Sequence, residues 1–345
     1  MTNTDISYDL DQPLLRFPNE QNGIEDSWTL RNAFEGVQIF GGIGSGKTSG
    51  SGAALAGKFL EGGFGGLVLT VKREETDLWR SYCERHDRLD DLIVLTPDGQ
   101  HSFNFLDYEF NRHGLGGQLT GNLVNLLKTV IRAGQSDQQS RGDDRFWEEA
   151  LDMLLFNIID LVALADGKIE IDRLLSLVSD LPKSALPQHD IVLDSPSVFI
   201  RSLALAKANV LKAIEPDLKA AGLPPPGQRE HPGDRMDSRT TAIRKYLKQN
   251  PLWLSYERVR IYFSETLATL SEKTRSIIEM SFNGFLFRLS REPVRSMFCS
   301  DSPNISPDSS LDGKIILVDL PVKLYDKVGR DAQILFKYIW QRAME

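Results

Sequence analysis

The sequence predicts an α/β fold, a parallel sheet with helices on both faces, interrupted by a large all-α insertion. Three observations carry this expectation. Short apolar, β-rich runs alternate with helical periodicity over the first hundred residues. A glycine-rich phosphate-binding signature joins the first of these runs to a helix. From about residue 115 to 290 nearly every periodic segment is helical, and a strand-like run returns only at Lys314–Leu320.

In chain order, Val37–Phe40 (VQIF) reads as a strand running into GGIGSGKTSG, and Thr48–Leu60 as a helix stopped by Gly62 and Gly63. Leu67–Val71 is a second buried-type strand, Glu74–Asp87 a helix, and Leu92–Leu95 a third strand ending at Thr96-Pro97-Asp98-Gly99. Helical spacing then marks Leu119–Ile131, Asp144–Ala165, Asp172–Val178, Ser197–Ile214, Ser238–Lys248 and Thr266–Leu289. Polar or proline-rich links separate them at 134–145 and 223–234. Lys314–Leu320 (KIILVDL) is a late strand and Asp331–Met344 an amphipathic helix. The expected organisation is an acidic segment over 1–26, a nucleotide-binding domain over 27–114 and 301–345, and a helical domain over 115–300 between its halves.

Gly41-Gly42-Ile43-Gly44-Ser45-Gly46-Lys47-Thr48 fits G-x-x-x-x-G-K-[ST], followed by Ser49. Glycines let such a loop turn and bring backbone N–H groups close to phosphate oxygens, and the helix that follows adds its positive end. Lys47 would pair with the β- and γ-phosphates and the Thr48 hydroxyl would coordinate Mg²⁺, so the expected cofactors are ATP and Mg²⁺. The fixed positions recur by chance in roughly one chain of this length in a hundred. Hydrolysis also asks for an acid at the end of another apolar strand, often with a Glu beside it. Asp319, after Ile315–Val318, is the candidate, but Leu320 and Pro321 follow it. It is read either as the Walker B carboxylate or as an ordinary strand-end residue.

With 345 residues, 41% hydrophobic and 26% charged, the chain can bury a large core. Its longest apolar stretch, Leu151–Leu164, is broken by Asn157 and Asp160 and is too short to span a bilayer. The two cysteines, Cys83 and Cys299, and five unclustered histidines argue against a disulfide framework or zinc site, and for a reducing cytoplasm. A net charge of −8 gives no general case for nucleic acid. The window 229–260 nevertheless holds eight Arg and Lys against four acids, with Arg239, Arg244, Lys245 and Lys248 the candidate nucleic-acid contacts. A solvated helical face is the plainer reading of that window. Arg275 has two readings, an arginine finger or a solvated helix-start residue. Phe146 and Trp147 read as core anchors, and Asn104 as a residue bonding backbone in a tight loop.

Several segments together resemble one family. They are GGIGSGKTSG (41–50), LVLTVKREE (67–75), VLTPDGQHSFNFLD (94–107), DDRFWEEALDMLL (143–155), LSEKTRSIIEMSFNGFLF (270–287), PVRSMFC (293–299) and GKIILVDLPV (313–322). In this order they are similar to the TraG/TraD-type coupling ATPases of type IV secretion and conjugation, relatives of the FtsK/HerA motors, over roughly residues 30–345. The resemblance implies a RecA-like motor domain with an inserted all-α domain. It further implies a hexameric ring that couples ATP hydrolysis to the transfer of single-stranded DNA, with relaxosome or secretion-system proteins as partners. Lys72 sits where the family commonly has a Lys after its second strand, with Thr70 in place of a frequent Asp.

Two departures shape the expectation. The family usually begins with membrane-spanning helices, and none is legible here, which implies recruitment to the inner face of the membrane by partners. The family's Asp-Glu strand comes after the helix that follows GKIILVDLPV, whereas this sequence stops at that helix. The expected sheet is therefore incomplete, with a naked apolar edge prone to association. Besides the motor, the sequence allows a nucleotide-gated module that holds ATP without hydrolysing it, and, less well, a small-molecule phosphotransferase.

Overall fold

The computed structural model describes residues 9–18, 23, 25–112, 120–133, 143–223 and 238–345. The chain is mixed α/β and divides into two compact units, one of residues 1–101, 307–324 and 343–345, the other of residues 102–306 and 325–342. Most of both expected links, 134–145 and 223–234, lies outside the described residues, as do Arg229 and Arg235.

The first unit opens with an antiparallel hairpin, β1 (Pro13–Pro18) and β2 (Glu25–Thr29), and the short helix α1 (Leu30–Ala33). The sequence reading had only an acidic segment before residue 27. Prolines at both ends of β1 and four polar or acidic positions in β2 hide the alternation that announces a strand. Helices α2 (Ala53–Glu61) and α3 (Glu74–Arg85) alternate with strands β3 (Gly66–Leu69) and β4 (Leu92–Leu95). Strand β5 (Ile315–Val318) inserts between β3 and β4, parallel to both, with Ile316 opposite Leu67 and Ile93. All four of its side chains are buried, as a central strand covered on both faces requires. Ala56 and Leu60 from α2 and Tyr82 and Cys83 from α3 pack on Val68, Ile315 and Leu317.

Polar groups lock the edges of this sheet. Arg88 donates to the carbonyls of Leu60 and Gly313 and to Asp91, and Lys314 donates to Asp91 at 2.8 Å. The two cations hold the Asp91 carboxyl below its usual range, Lys314 having the larger effect. At Gly65 the backbones come so close that a Cβ would lie 2.2 Å from the Ser310 carbonyl oxygen, so only glycine fits. Beyond the strands, the Thr70 hydroxyl donates to the Val318 carbonyl at 3.0 Å and the Asp319 amide to the Leu95 carbonyl at 2.8 Å.

One expected strand is absent. Val37–Phe40 is not a strand: its backbone pairs with no described segment, and Phe40 is 85% exposed. A β-rich composition favours a pleated surface, but a strand exists only where a neighbour takes its hydrogen bonds, and this segment has none among the described residues.

The second unit is helical: α4 (Phe105–Asn111), α5 (Thr120–Ala133), α6 (Asp143–Asp166), α7 (Ile171–Ser179), α8 (Val198–Ala220), α9 (Ser238–Leu247), α10 (Pro251–Ile261), α11 (Leu267–Thr269), α12 (Glu272–Leu289), α13 (Val294–Phe298) and most of α14 (Val322–Met344). Helix α6 is its axis and packs on α5, α7, α8, α10 and α12. Being buried around much of its girth, it carries Leu154, Leu155, Ile158, Ile159, Leu161 and Val162 at full burial. Its polar interruptions are answered by α5: Thr120 donates to Asp160 and Lys128 pairs with Asp152. Phe199 of α8 meets Phe263 edge-on with centroids 4.8 Å apart. Asn104 caps α4, accepting from the Asp107 amide and donating to the Ser300 carbonyl, as its sequence position suggested.

Three helical expectations need correction. The segment 266–289 is not one helix: the chain turns at Leu270, and the Ser271 hydroxyl accepts from the Thr274 amide to start α12 afresh. The last helix begins at Val322 rather than Asp331 and bends at Asp326, whose φ is 46°. Phe146 is no core anchor: it is 52% exposed and stacks edge-on against its half-buried neighbour Trp147. Its place in the apolar periodicity puts it in the first turn of α6, ahead of the packed stretch that starts at Ala150.

Arg342 of α14 pins the helix to α4. It donates to Glu109 Oε2 at 3.1 Å, and Arg112 donates to the Arg342 carbonyl. Glu109 is 1% exposed, and this burial raises its carboxyl above the usual range although both arginines oppose the shift. Arg342→Met therefore strands a buried carboxylate and is expected to cost about 2–3 kcal/mol near neutral pH. A raised folded-state value means the protonated form is favoured in the fold, so the loss shrinks as pH falls towards the unfolded carboxyl range. Urea unfolding of both proteins at pH 8 and pH 5 checks this, a smaller gap at pH 5 being the expected result. Burial also raises the Cys83 thiol and pushes Cys299 up to about 12. Neither is expected to react with a disulfide reagent at pH 8 until the chain is unfolded by denaturant, which a colorimetric thiol assay reads directly.

Candidate nucleotide-binding loop

Residues 41–52 form a turn closed by its own backbone. Gly44 and Gly46 sit at φ values of 77° and 78°, left-handed positions that exclude side chains without strain. The Ser45 amide donates to the Gly42 carbonyl at 3.3 Å. The helix that follows opens with a wide π-type turn, Thr48–Gly52, in which the Gly52 amide donates to the Lys47 carbonyl at 2.8 Å, before α2 continues. A Cβ at Gly52 would lie 2.9 Å from that same oxygen. The sequence places glycine where the turn is tightest, and the helix starts where the motif requires.

The backbone N–H groups of Ile43, Gly44, Gly46 and Lys47 have no acceptor among the described residues. In the same turn Lys47 Nζ donates to the carbonyls of Gly41 and Gly42, each at 2.6 Å. Free amides and an ammonium within one short turn make a ready anion cradle, and a phosphate oxygen would take the place of the two carbonyls on Lys47. Thr48 and Ser49 are exposed, and the Thr48 hydroxyl has no partner among the described residues, as a Mg²⁺ ligand would need. From α3, the buried Tyr82 donates its hydroxyl to the Thr48 carbonyl at 3.4 Å and braces the loop from behind.

The carboxyl ends of β3 and β5, where open parallel sheets bind ligands, hold the remaining candidates of this unit. Asp319 directly follows β5, the central strand; its half-buried carboxylate has no side-chain partner among the described residues. Leu320 beside it is buried. After β3 the amides of Val71 and Lys72 donate to Glu75 Oε2 at 2.6 and 3.2 Å, so this pair of N–H groups is filled by the chain's own carboxylate. Among the described residues no group of three or more His, Cys, Asp or Glu is placed to hold a metal. A Mg²⁺ at the loop would rest on Thr48, phosphate oxygens and at most one acid such as Asp319.

The other candidates belong to the helical unit. Arg275 is 12% exposed; its Nε donates to Glu279 at 2.6 Å and its Nη2 to the Leu181 carbonyl at 3.2 Å. Arg244, Lys245 and Lys248 lie exposed on or just after α9, without ion-pair partners among the described residues, and Arg239 lies on the same helix. Arg260 is instead consumed by Glu257 and Glu265. Sequence reasoning missed Tyr82 and Glu75. Nothing in the sequence signals the first. The second sits four residues after Val71 at a strand-to-helix turn, where an acid habitually caps free amides.

Gly44→Ala and Gly46→Ala each force a side chain into left-handed backbone at about 1–2 kcal/mol and are expected to abolish binding of a fluorescent ATP analogue. Lys47→Ala should weaken that binding at least about tenfold through loss of one charge-assisted contact. Equal analogue affinity in all four proteins would show that the loop does not hold phosphate.

No family model, curated protein or solved structure matches the chain, so the reading of this loop rests on its own residues and geometry.

Proposed function

We propose that this chain is the ATP-binding part of a motor similar to the TraG/TraD coupling ATPases, driving transfer of single-stranded DNA. The observation that carries the nucleotide part is the loop itself: four uncommitted amides and Lys47 within a turn fixed by Gly44 and Gly46, ahead of a helix. ATP enters with its phosphates on the amides of 43–47, Lys47 on the β- and γ-phosphates, and Mg²⁺ on Thr48. Asp319, an unpartnered carboxylate ending the central strand, is the acid best suited to help orient the metal.

The RecA-like core with an inserted helical domain is part of the same reading. It is supported by a parallel sheet whose last strand is supplied after a long helical excursion. The DNA part draws on Arg239, Arg244, Lys245 and Lys248, of which the last three are exposed cations free to meet phosphates. Ring assembly, secretion-system partners and recruitment to the inner face of the membrane follow from the resemblance. Among the described residues no helix is long and apolar enough to cross a membrane.

A second reading has its own support. Asp319 is followed by Leu320 and Pro321 rather than Glu, and the segment leading into the loop is unpaired, which suits a module that holds ATP without turning it over.

Steady-state ATP turnover with and without single-stranded DNA separates the two. The motor reading expects turnover that DNA raises, that Lys47→Ala abolishes and that Asp319→Asn lowers at least about a hundredfold. Tight ATP binding with turnover no greater than that of Lys47→Ala favours the holding module. Replacing Arg244, Lys245 and Lys248 by Gln should weaken DNA binding and flatten its salt dependence by up to about two to three ions. Unchanged, salt-independent DNA binding would remove the DNA part.

A further inference from the structure

We infer that the helical unit binds a small zwitterion with an apolar side group, of which a free α-amino acid is the simplest representative, in the cleft between the end of α7 and the start of α12. This inference is independent of the nucleotide reading. The cleft has a volume of about 460 Å³, within the range of small-ligand sites. Val178, Leu181, Ala268 and Leu270 give it an apolar wall. Facing that wall are two cations and two acids, Lys183 and Arg275 against Glu272 and Glu279.

The state of these four charges defines the ligand. Arg275 and Glu279 form a largely buried pair through Nε and Oε1, while Arg275 Nη1 and Glu279 Oε2 have no partner among the described residues. Lys183 and Glu272 are exposed at the rim, and neither has an ion-pair partner among the described residues. A half-committed ion pair lining an open cleft is an arrangement that a bound polar group would complete.

A ligand of a single charge would meet a like charge from whichever pair it approached. A zwitterion meets neither penalty. Its carboxylate pairs with Lys183 and Arg275 Nη1, its ammonium with Glu272 and Glu279 Oε2, and each contact is a charge-assisted hydrogen bond. An apolar side chain then covers Val178, Leu181 and Leu270, removing their surface from water. Because Arg275 is held by Glu279 and the Leu181 carbonyl, the cleft presents its guanidinium in a fixed orientation, which lowers the ordering cost of binding.

The test is titration calorimetry of the full chain with L-leucine, L-phenylalanine and L-methionine, and with N-acetyl-L-leucinamide, which lacks both charges. At least one free amino acid is expected to bind saturably, and the blocked compound is expected not to bind. Lys183→Gln and Glu272→Gln, both at the exposed rim, should each weaken binding about tenfold through loss of one charged contact. Lys47→Ala should leave it unchanged, keeping this result separate from the fate of the nucleotide reading. Arg275→Lys, which keeps the charge but loses the fork, should weaken it further. The inference is overturned if none of the three amino acids binds saturably, if the blocked compound binds as well as L-leucine, or if the folded rim variants bind with unchanged affinity.

Discussion

The α/β unit depends on one strand. β3 and β4 are not paired with each other; among the described residues each hydrogen-bonds to β5, which arrives after the whole of residues 102–306. Until Ile315–Val318 slide between them, the two earlier strands are unpaired apolar segments. Closing so long a loop costs less than its length suggests, because the entropy of closure grows only with the logarithm of the residue count. What must be strong is the closure itself. It is made by four fully buried β5 side chains, by Arg88 and Lys314 clamped around Asp91, and by the close approach at Gly65 that admits no Cβ.

That arrangement decides how the glycine-rich loop at 41–52 is held. In a sheet where the loop grows out of a paired strand, backbone hydrogen bonds fix it from behind. Here Val37–Phe40 is unpaired, and the loop is fixed from its far side: by burial of Ala56 and Leu60 in α2, by the π-type turn at Thr48–Gly52, and by the Tyr82 hydroxyl on the Thr48 carbonyl. Lys47 closes the ring by bonding the carbonyls at the loop's start. Its ammonium thus adds to the cohesion of the loop. A bound phosphate would draw it away, exchanging one set of charge-assisted bonds for another with little net charge moved out of water.

How much of this the sequence disclosed follows from the range of the forces involved. The loop glycines, the strands at 67, 92 and 315 and most helices were legible because local spacing and backbone freedom determine them. The cap that Asn104 makes on the Asp107 amide was legible for the same reason, three residues away, whereas its bond to Ser300 was not. Val37–Phe40 was misread because pairing is a property of two segments and the sequence shows one. Phe146 was misread because periodicity gives a face, not the point along a helix where packing begins. The break at Ser271 lay in plain view as a Ser opening a helical run, but the apolar residues on both sides masked it. Tyr82 could not be anticipated, because its role arises only when α3 is laid beside the loop.

The same distinction separates the charges that hold the fold from those free to act. Arg88, Arg260 and Arg342 face acids in the native structure and are spent on cohesion. Among the described residues, Arg244, Lys245, Lys248 and Lys183 have no such partner, and neither do the carboxylates of Asp319 and Glu272. A count of charge along the sequence treats both groups alike, which is why the basic window at 229–260 looked uniform although Arg260 is already neutralised. Arg275 stands between the groups: one edge of its guanidinium is committed to Glu279 and Leu181, and the other is not. An arginine held in this way is a poor mobile finger, since reaching a distant phosphate would strand Glu279 in a largely buried place, yet it is well suited to receive a ligand that comes to it.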